Sequence, residues 1–183
     1  HCTGRQRSLI YRITLAAALR ANEIRRLEVR DVGDTGIRIR PNTPNSKRGA
    51  FFQLPPELLD ELRAEIKGRP AESRVFNLSD NLCHMIRIDM KRAGIPRETA
   101  EGVYNFHCLR HQSGALLISA GSNPKAVQKH MRHASITTTM DTYGHLLDRD
   151  RQDSLTAMGN LQSALSAQRL AQRAQAVAFV VEQ

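Results

Sequence analysis

Residues Asn105 to His145 read NFHCLRHQSGALLISAGSNPKAVQKHMRHASITTTMDTYGH. Apolar residues recur at helical spacing in three runs, about His107 to Ser119, Pro124 to Met131 and Ser135 to Thr142. Gly121 and Asn123 separate the first two, and Pro124 suits the opening turn of the second. Tyr143, one of three tyrosines in the chain, closes the third run. The C-terminal half therefore reads as packed helices.

Upstream, an amphipathic helix is expected from about Asp80 to Arg92, stopping at Gly94, with a polar connector beyond Pro96. Pro55-Pro56 opens another, through about Ile66, with Leu58, Leu59, Leu62 and Ile66 on one face. Before it, Ile37 to Arg40 and Phe51 to Leu54 have strand character, separated by PNTPNSKRGA, which reads as a hairpin with a long basic tip. A buried helix from about Arg7 to Leu19 and a short one from Asn22 to Leu27, capped by Asn22, complete the N-terminal half. The expected fold is mainly α with a small antiparallel β-sheet, an α+β body over residues 1–150. Residues 151–183 are helix-forming and end in AVAFVV, too apolar for water, so this tail is expected to fold back or to dock into a neighbouring protomer.

Composition narrows the partners. Lys and Arg number 27 against 18 Asp and Glu, a net charge of +9, which favours a polyanion such as nucleic acid. With 4% aromatics and no tryptophan, base-stacking platforms are not the expected way of holding it. Cys2, Cys83 and Cys108 are an odd set without metal-ligand spacing, so no disulfide framework or zinc knuckle follows. No apolar stretch is long enough for a membrane span and the start, HCTGRQRS, is polar; the expected location is cytoplasmic, with the nucleoid. Because the sequence begins at His1, we expect it to lack an N-terminal domain.

The chemistry lies in the opening stretch. His107 and Arg110 share a helix face and can approach one phosphate together, although such a pair alone is more often plain surface. His107 and His111 have the spacing of a zinc pair, but the glutamate of His-Glu-x-x-His is missing, with Cys108 and Leu109 in its place. His133 and Tyr143 follow; a phenol, two imidazoles and a guanidinium suffice to attack a phosphodiester without a metal.

HCLRH followed by AGSNPKAVQKHMRHASITTTMDTYGH resembles the catalytic box of the tyrosine recombinases, also called the phage integrase family. The family's order is an arginine, a lysine, His-x-x-Arg, a histidine or tryptophan, and a nucleophilic tyrosine. ALRANEIRRLEVRDV is similar to its first arginine segment, with Arg20 in place and Glu23 three residues on, and Lys47 in PNSKRGAFFQLP matches the hairpin lysine beside Arg48. Three departures stand out: Ala18 and Arg132 where the family commonly has glycine, and Cys108 where it often has aspartate. The resemblance implies the catalytic domain of a DNA-cutting and rejoining enzyme, a homo-oligomer, expected to be a tetramer on double-stranded DNA, with no metal and no cofactor. It implies Arg20, Lys47, His107, Arg110, His133 and Tyr143 as catalytic residues, Glu23 as a brace behind them, and Arg48 and Arg132 as DNA contacts. A type IB topoisomerase or resolvase shares this chemistry, and a non-enzymatic DNA-binding module is a third reading.

Overall fold

The structure, a computed structural model, describes residues 2–41, 49–79, 81–100 and 102–147. Helix α1, Gly4–Ala16, starts at a capping box: Gln6 donates its amide to Thr3 Oγ1 at 3.2 Å, and the Thr3 amide donates to Gln6 Oε1 at 2.9 Å. It ends three residues short of the expected Leu19 because the backbone turns left-handed at Ala18, φ 46°. Helix α2, Ala21–Arg26, does not start at Asn22. Asn22 lies inside it and accepts from Arg25 Nη1 at 2.8 Å, while Glu23 reaches back to the amide at the helix start.

A 3-10 turn, Val29–Asp31, leads into β1, Gly36–Ile39, which pairs antiparallel with β2, Ala50–Gln53. The register sets Ile37 opposite Phe52, both buried, with Arg38 and Phe51 facing out. Gly36 allows the close start of this pair, since a Cβ there would overlap the Phe52 carbonyl and lie 2.8 Å from Gln53 Cα. At the end of β1, Arg40 Nε lies 3.0 Å from Asp31 and Nη2 lies 2.9 Å from Glu28, fixing the strand that leads toward Lys47.

Helix α3, Pro56–Ile66, begins with proline at its first position and buries Leu58, Leu59, Leu62 and Ile66, as their spacing predicts. Each such side chain contributes roughly 1.5–3 kcal/mol on burial. Helix α4, Leu82–Arg92, is capped by Asn81, whose side chain accepts from the His84 amide. It is tied to α1 by Asp89, which takes Arg7 Nε at 2.8 Å and the Tyr11 hydroxyl at 2.7 Å. The expected polar connector contains two short strands, β3 Glu98–Thr99 and β4 Gly102–Val103, paired antiparallel and fully exposed.

Helix α5, Cys108–Ser119, packs against α1, and α6, Pro124–Met131, packs against α5. A further helix, α7, runs over residues 136–147 and carries Tyr143 within it rather than beyond its end. The apolar residues form two clusters. The larger joins α1 to α4, the β1–β2 pair and Phe106; the smaller gathers Ala18, Ile118, Val127, Met131 and Tyr143. Among the described residues no helix is long and apolar enough to cross a membrane.

Candidate active site

The smaller cluster brings three distant segments to one place. Arg20 occupies the extended residue before α2, so its backbone amide is one of the unpaired donors of a helix start. Glu23 Oε2 takes that amide at 2.8 Å, and Oε1 takes Arg20 Nη1 at 3.2 Å. The Arg20 side chain stays 43% exposed, facing outward from this bracket.

Glu23 has a second and closer partner. Arg132 donates Nη1 to Oε1 at 2.7 Å and Nη2 to Oε2 at 2.8 Å, a two-pronged fork onto the carboxylate. Burial pushes the Glu23 carboxyl up, but the bonds from Arg132 and from the Arg20 backbone outweigh it and hold the group below the ordinary carboxylate range. The Arg132 guanidinium also lies 5.0 Å from the centre of the Phe52 ring. The side chain expected at the DNA is thus turned onto Glu23 and Phe52.

Arg110, three residues after His107, is 3% exposed. Its Nη1 donates to the carbonyl of Ala18 and its Nη2 to that of Met131. Both carbonyls adjoin left-handed turns, one at Ala18 itself and one at the following Arg132, φ 54°. These are the two positions where the family commonly has glycine, and a non-glycine residue in this region costs of order 1–3 kcal/mol. Arg110 therefore holds together two turns that the local sequence disfavours. Burial, then repulsion from Arg20 and Arg132, pulls its guanidinium down to about 10, still protonated at neutral pH.

The imidazoles surround this charge. His107 meets His111 edge-on, ring centres 4.8 Å apart, and its amide donates to Asn105 Oδ1 at 2.8 Å. Burial lowers His107, helped by His111, Arg110 and Arg20. His133 follows the left-handed Arg132; its Nδ1 shares a 2.9 Å hydrogen bond with Thr139 Oγ1, which is buried in α7. Burial lowers His133 as well, with Arg110, Arg20 and His111 acting in the same direction. Four of the expected catalytic groups, Arg20, His107, Arg110 and His133, thus feel one another's charge.

Tyr143 completes the group and is the least accessible of it, at 3% exposure. Its ring packs on Gly114 of α5, where a Cβ would overlap Cζ and lie 2.7 Å from Cε2. The hydroxyl has no hydrogen-bond partner. Burial raises the phenol above its ordinary value and the nearby Arg110 charge opposes that rise. Lys47 and Arg48 lie outside the described residues. Sequence reasoning missed Thr139, Gly114 and the Ala18 carbonyl as parts of the site. A threonine run, a helical glycine and a backbone atom carry no chemical signature of their own.

Residues 2–150 match the phage integrase family. Tyrosine recombinase XerA of Saccharolobus solfataricus is 34% identical over 166 residues, 88% of this chain and 54% of the relative. The catalytic domain of bacteriophage HP1 integrase superposes with a TM-score of 0.57 at 26% identity, covering 75% of this chain and 73% of that one. XerH site-specific recombinase bound to a palindromic difH substrate superposes at 0.60 with 21% identity, over 85% of this chain and 47% of that one. The chain spans about half the length of the curated relatives it matches. With more than four fifths of its length matched and its fold shared with integrase and recombinase catalytic domains, the chain belongs to the phage integrase family of tyrosine recombinases.

Proposed function

We propose that the chain is the strand-cleaving and rejoining domain of a site-specific DNA recombinase or integrase. The Tyr143 oxygen attacks a backbone phosphorus of double-stranded DNA, forming a 3′-phosphotyrosyl ester as the 5′ oxygen leaves. One phosphoester forms for each that breaks, so a free 5′ hydroxyl can reverse the step and rejoin strands without an added energy source. Arg20 and Arg110 neutralise the charge that builds on the non-bridging oxygens, the task a divalent ion performs in many nucleases. Lys47, from the hairpin between β1 and β2, gives its proton to the departing oxygen. His107 assists proton transfer, and His133 hydrogen-bonds the phosphate. XerH binds a palindromic substrate, and a palindrome matches a two-fold protein arrangement, which supports a homo-oligomer on DNA here too.

The observation that carries this reading is the convergence of Arg20, His107, Arg110, His133 and Tyr143 from four helical segments onto one small cluster. Arg110 lies close enough for its charge to act on the Tyr143 phenol. The Arg110 fork, held by backbone carbonyls, must turn to reach phosphate, and Tyr143 must leave its pocket. A pool of nicked duplexes of random sequence, incubated in EDTA and resolved on a denaturing gel, tests it. The expected result is a covalent protein–DNA adduct that Tyr143→Phe abolishes. Absence of an adduct from the wild type, or its persistence in Tyr143→Phe, would refute the assignment.

A further inference from the structure

Glu23 stands between two arginines, and they hold it unequally. Arg132 takes both carboxylate oxygens at 2.7 and 2.8 Å, whereas the Arg20 side chain has one contact, at 3.2 Å. The Arg132–Glu23 pair is also the drier: the two side chains are 16% and 12% exposed, against 43% for Arg20. A short, sheltered, two-pronged pair competes well against a longer, half-exposed one, because solvent screens the second more strongly.

From this we propose that Arg132 is a positioning residue: it occupies the Glu23 carboxylate and thereby leaves the Arg20 guanidinium free for the phosphate. The proposal rests on the reading of Arg20 as a phosphate ligand. The charges explain why the device is needed. Arg20 and Arg110 give the site two positive charges, and an unshared Glu23 would cancel one of them at short range. Glu23 must nonetheless stay, since its Oε2 accepts the Arg20 amide and fixes where the side chain starts. Arg132 allows both, keeping the carboxylate as a backbone anchor while neutralising its charge. The cost is a left-handed backbone at a residue with a side chain, φ 54°. That conformation is held by the fork to Glu23, by Arg132 Nη2 donating to the Ala18 carbonyl at 3.3 Å, and by contact with Phe52.

Four proteins test this: wild type, Arg132→Gly, Glu23→Gln and the double variant. Glycine suits the backbone at this position, so Arg132→Gly is expected to fold. In the nicked-duplex reaction, Arg132→Gly should slow adduct formation about tenfold, a fraction of the 10²–10³ expected for losing a phosphate donor outright. In the Glu23→Gln background the same change should cost less than about threefold, because no carboxylate remains to capture Arg20. Lowering the pH should also shrink the Arg132→Gly defect, as the carboxyl freed of Arg132 takes up a proton. An Arg132→Gly protein as fast as wild type overturns the proposal, as does an equal loss in both backgrounds, which would mean that Arg132 meets the DNA itself.

Should the wild type form no adduct, the functional reading fails and binding decides this one separately. On the same duplexes, Arg132→Gly should bind with a salt dependence lowered by more than the one phosphate contact that Arg132 itself can make, about 0.9 per contact, and Glu23→Gln should restore the excess. A slope that does not change, or one that Glu23→Gln leaves lowered, overturns it.

Discussion

The ring of Tyr143 occupies the space that a side chain at residue 114 would fill. Gly114 is buried midway along α5, and its missing side chain makes the seat in which α7 rests its tyrosine. The nucleophile expected from the sequence is therefore stored inside the domain. Gly114→Ala should disturb that storage and little else. Overpacking at this point should lower stability by about 1–3 kcal/mol, read from urea unfolding. Acetylation of the Tyr143 hydroxyl by N-acetylimidazole should quicken, while Tyr11 and Tyr104, mapped by peptide, serve as internal references. Unchanged stability together with unchanged reactivity would show that the seat does not hold the ring.

Acid should weaken the fold through its imidazoles. His107, His111, His130 and His133 all lie below the ordinary histidine value, burial being the main cause and Arg110 a further one in each. The folded chain thus prefers them neutral, whereas the unfolded chain takes up protons from about pH 6.5 downward. Stability should be flat above that pH and fall below it, by at most about 1.4 kcal/mol per pH unit for each proton taken up. The more exposed His107 and His111 contribute the smaller share, being better screened. His130 is half-buried beside Ser113 and Phe52. Urea midpoints between about pH 5 and 8 should therefore show a shallower acid slope in His130→Gln than in wild type; equal slopes would remove His130 from the account.

Much of this architecture was legible in the order of residues because helical periodicity and proline placement act locally. Helix α3 follows from Pro56 and four leucine or isoleucine positions, and α6 from Asn123-Pro124. The Arg20 bracket was half legible: Glu23 announces itself by spacing, but Asn22 misled as a cap because a tertiary requirement, holding Arg20, decides where α2 begins. The left-handed turns at Ala18 and Arg132 were not legible from those residues, which favour other backbone conformations. Only their replacing glycines of the family pointed there. Nor did the sequence reveal that Tyr143 is buried, since nothing near it states that Gly114 will lie opposite.

Arg110 joins two strained turns, and its loss should be felt in the fold as well as in any reaction. Arg110→Ala leaves the Ala18 and Met131 carbonyls without their donor, each orphaned buried acceptor costing roughly 1–3 kcal/mol. Arg110→Lys keeps the charge but has a single nitrogen, too few for two divergent carbonyls, and should recover only part of that loss. Thermal and urea unfolding of the two variants give the comparison. A fully stable Arg110→Ala protein would show that the turns stand without it.

The hydroxyl that the proposed chemistry requires is a burden on the resting fold. Tyr143 is 3% exposed and its oxygen has no hydrogen-bond partner, so water has been removed from a polar group and nothing replaces it. A buried hydroxyl left unpaired costs about 1–3 kcal/mol. Tyr143→Phe keeps the ring in the Gly114 seat and removes only the oxygen, so it should stabilise the domain by about 1 kcal/mol while abolishing adduct formation. Most substitutions of a buried aromatic destabilise, which makes the sign decisive. Urea unfolding of the two proteins side by side reads it. A Tyr143→Phe protein that is less stable than wild type would mean that the hydroxyl finds a partner in solution, and that the nucleophile is engaged rather than idle in its pocket.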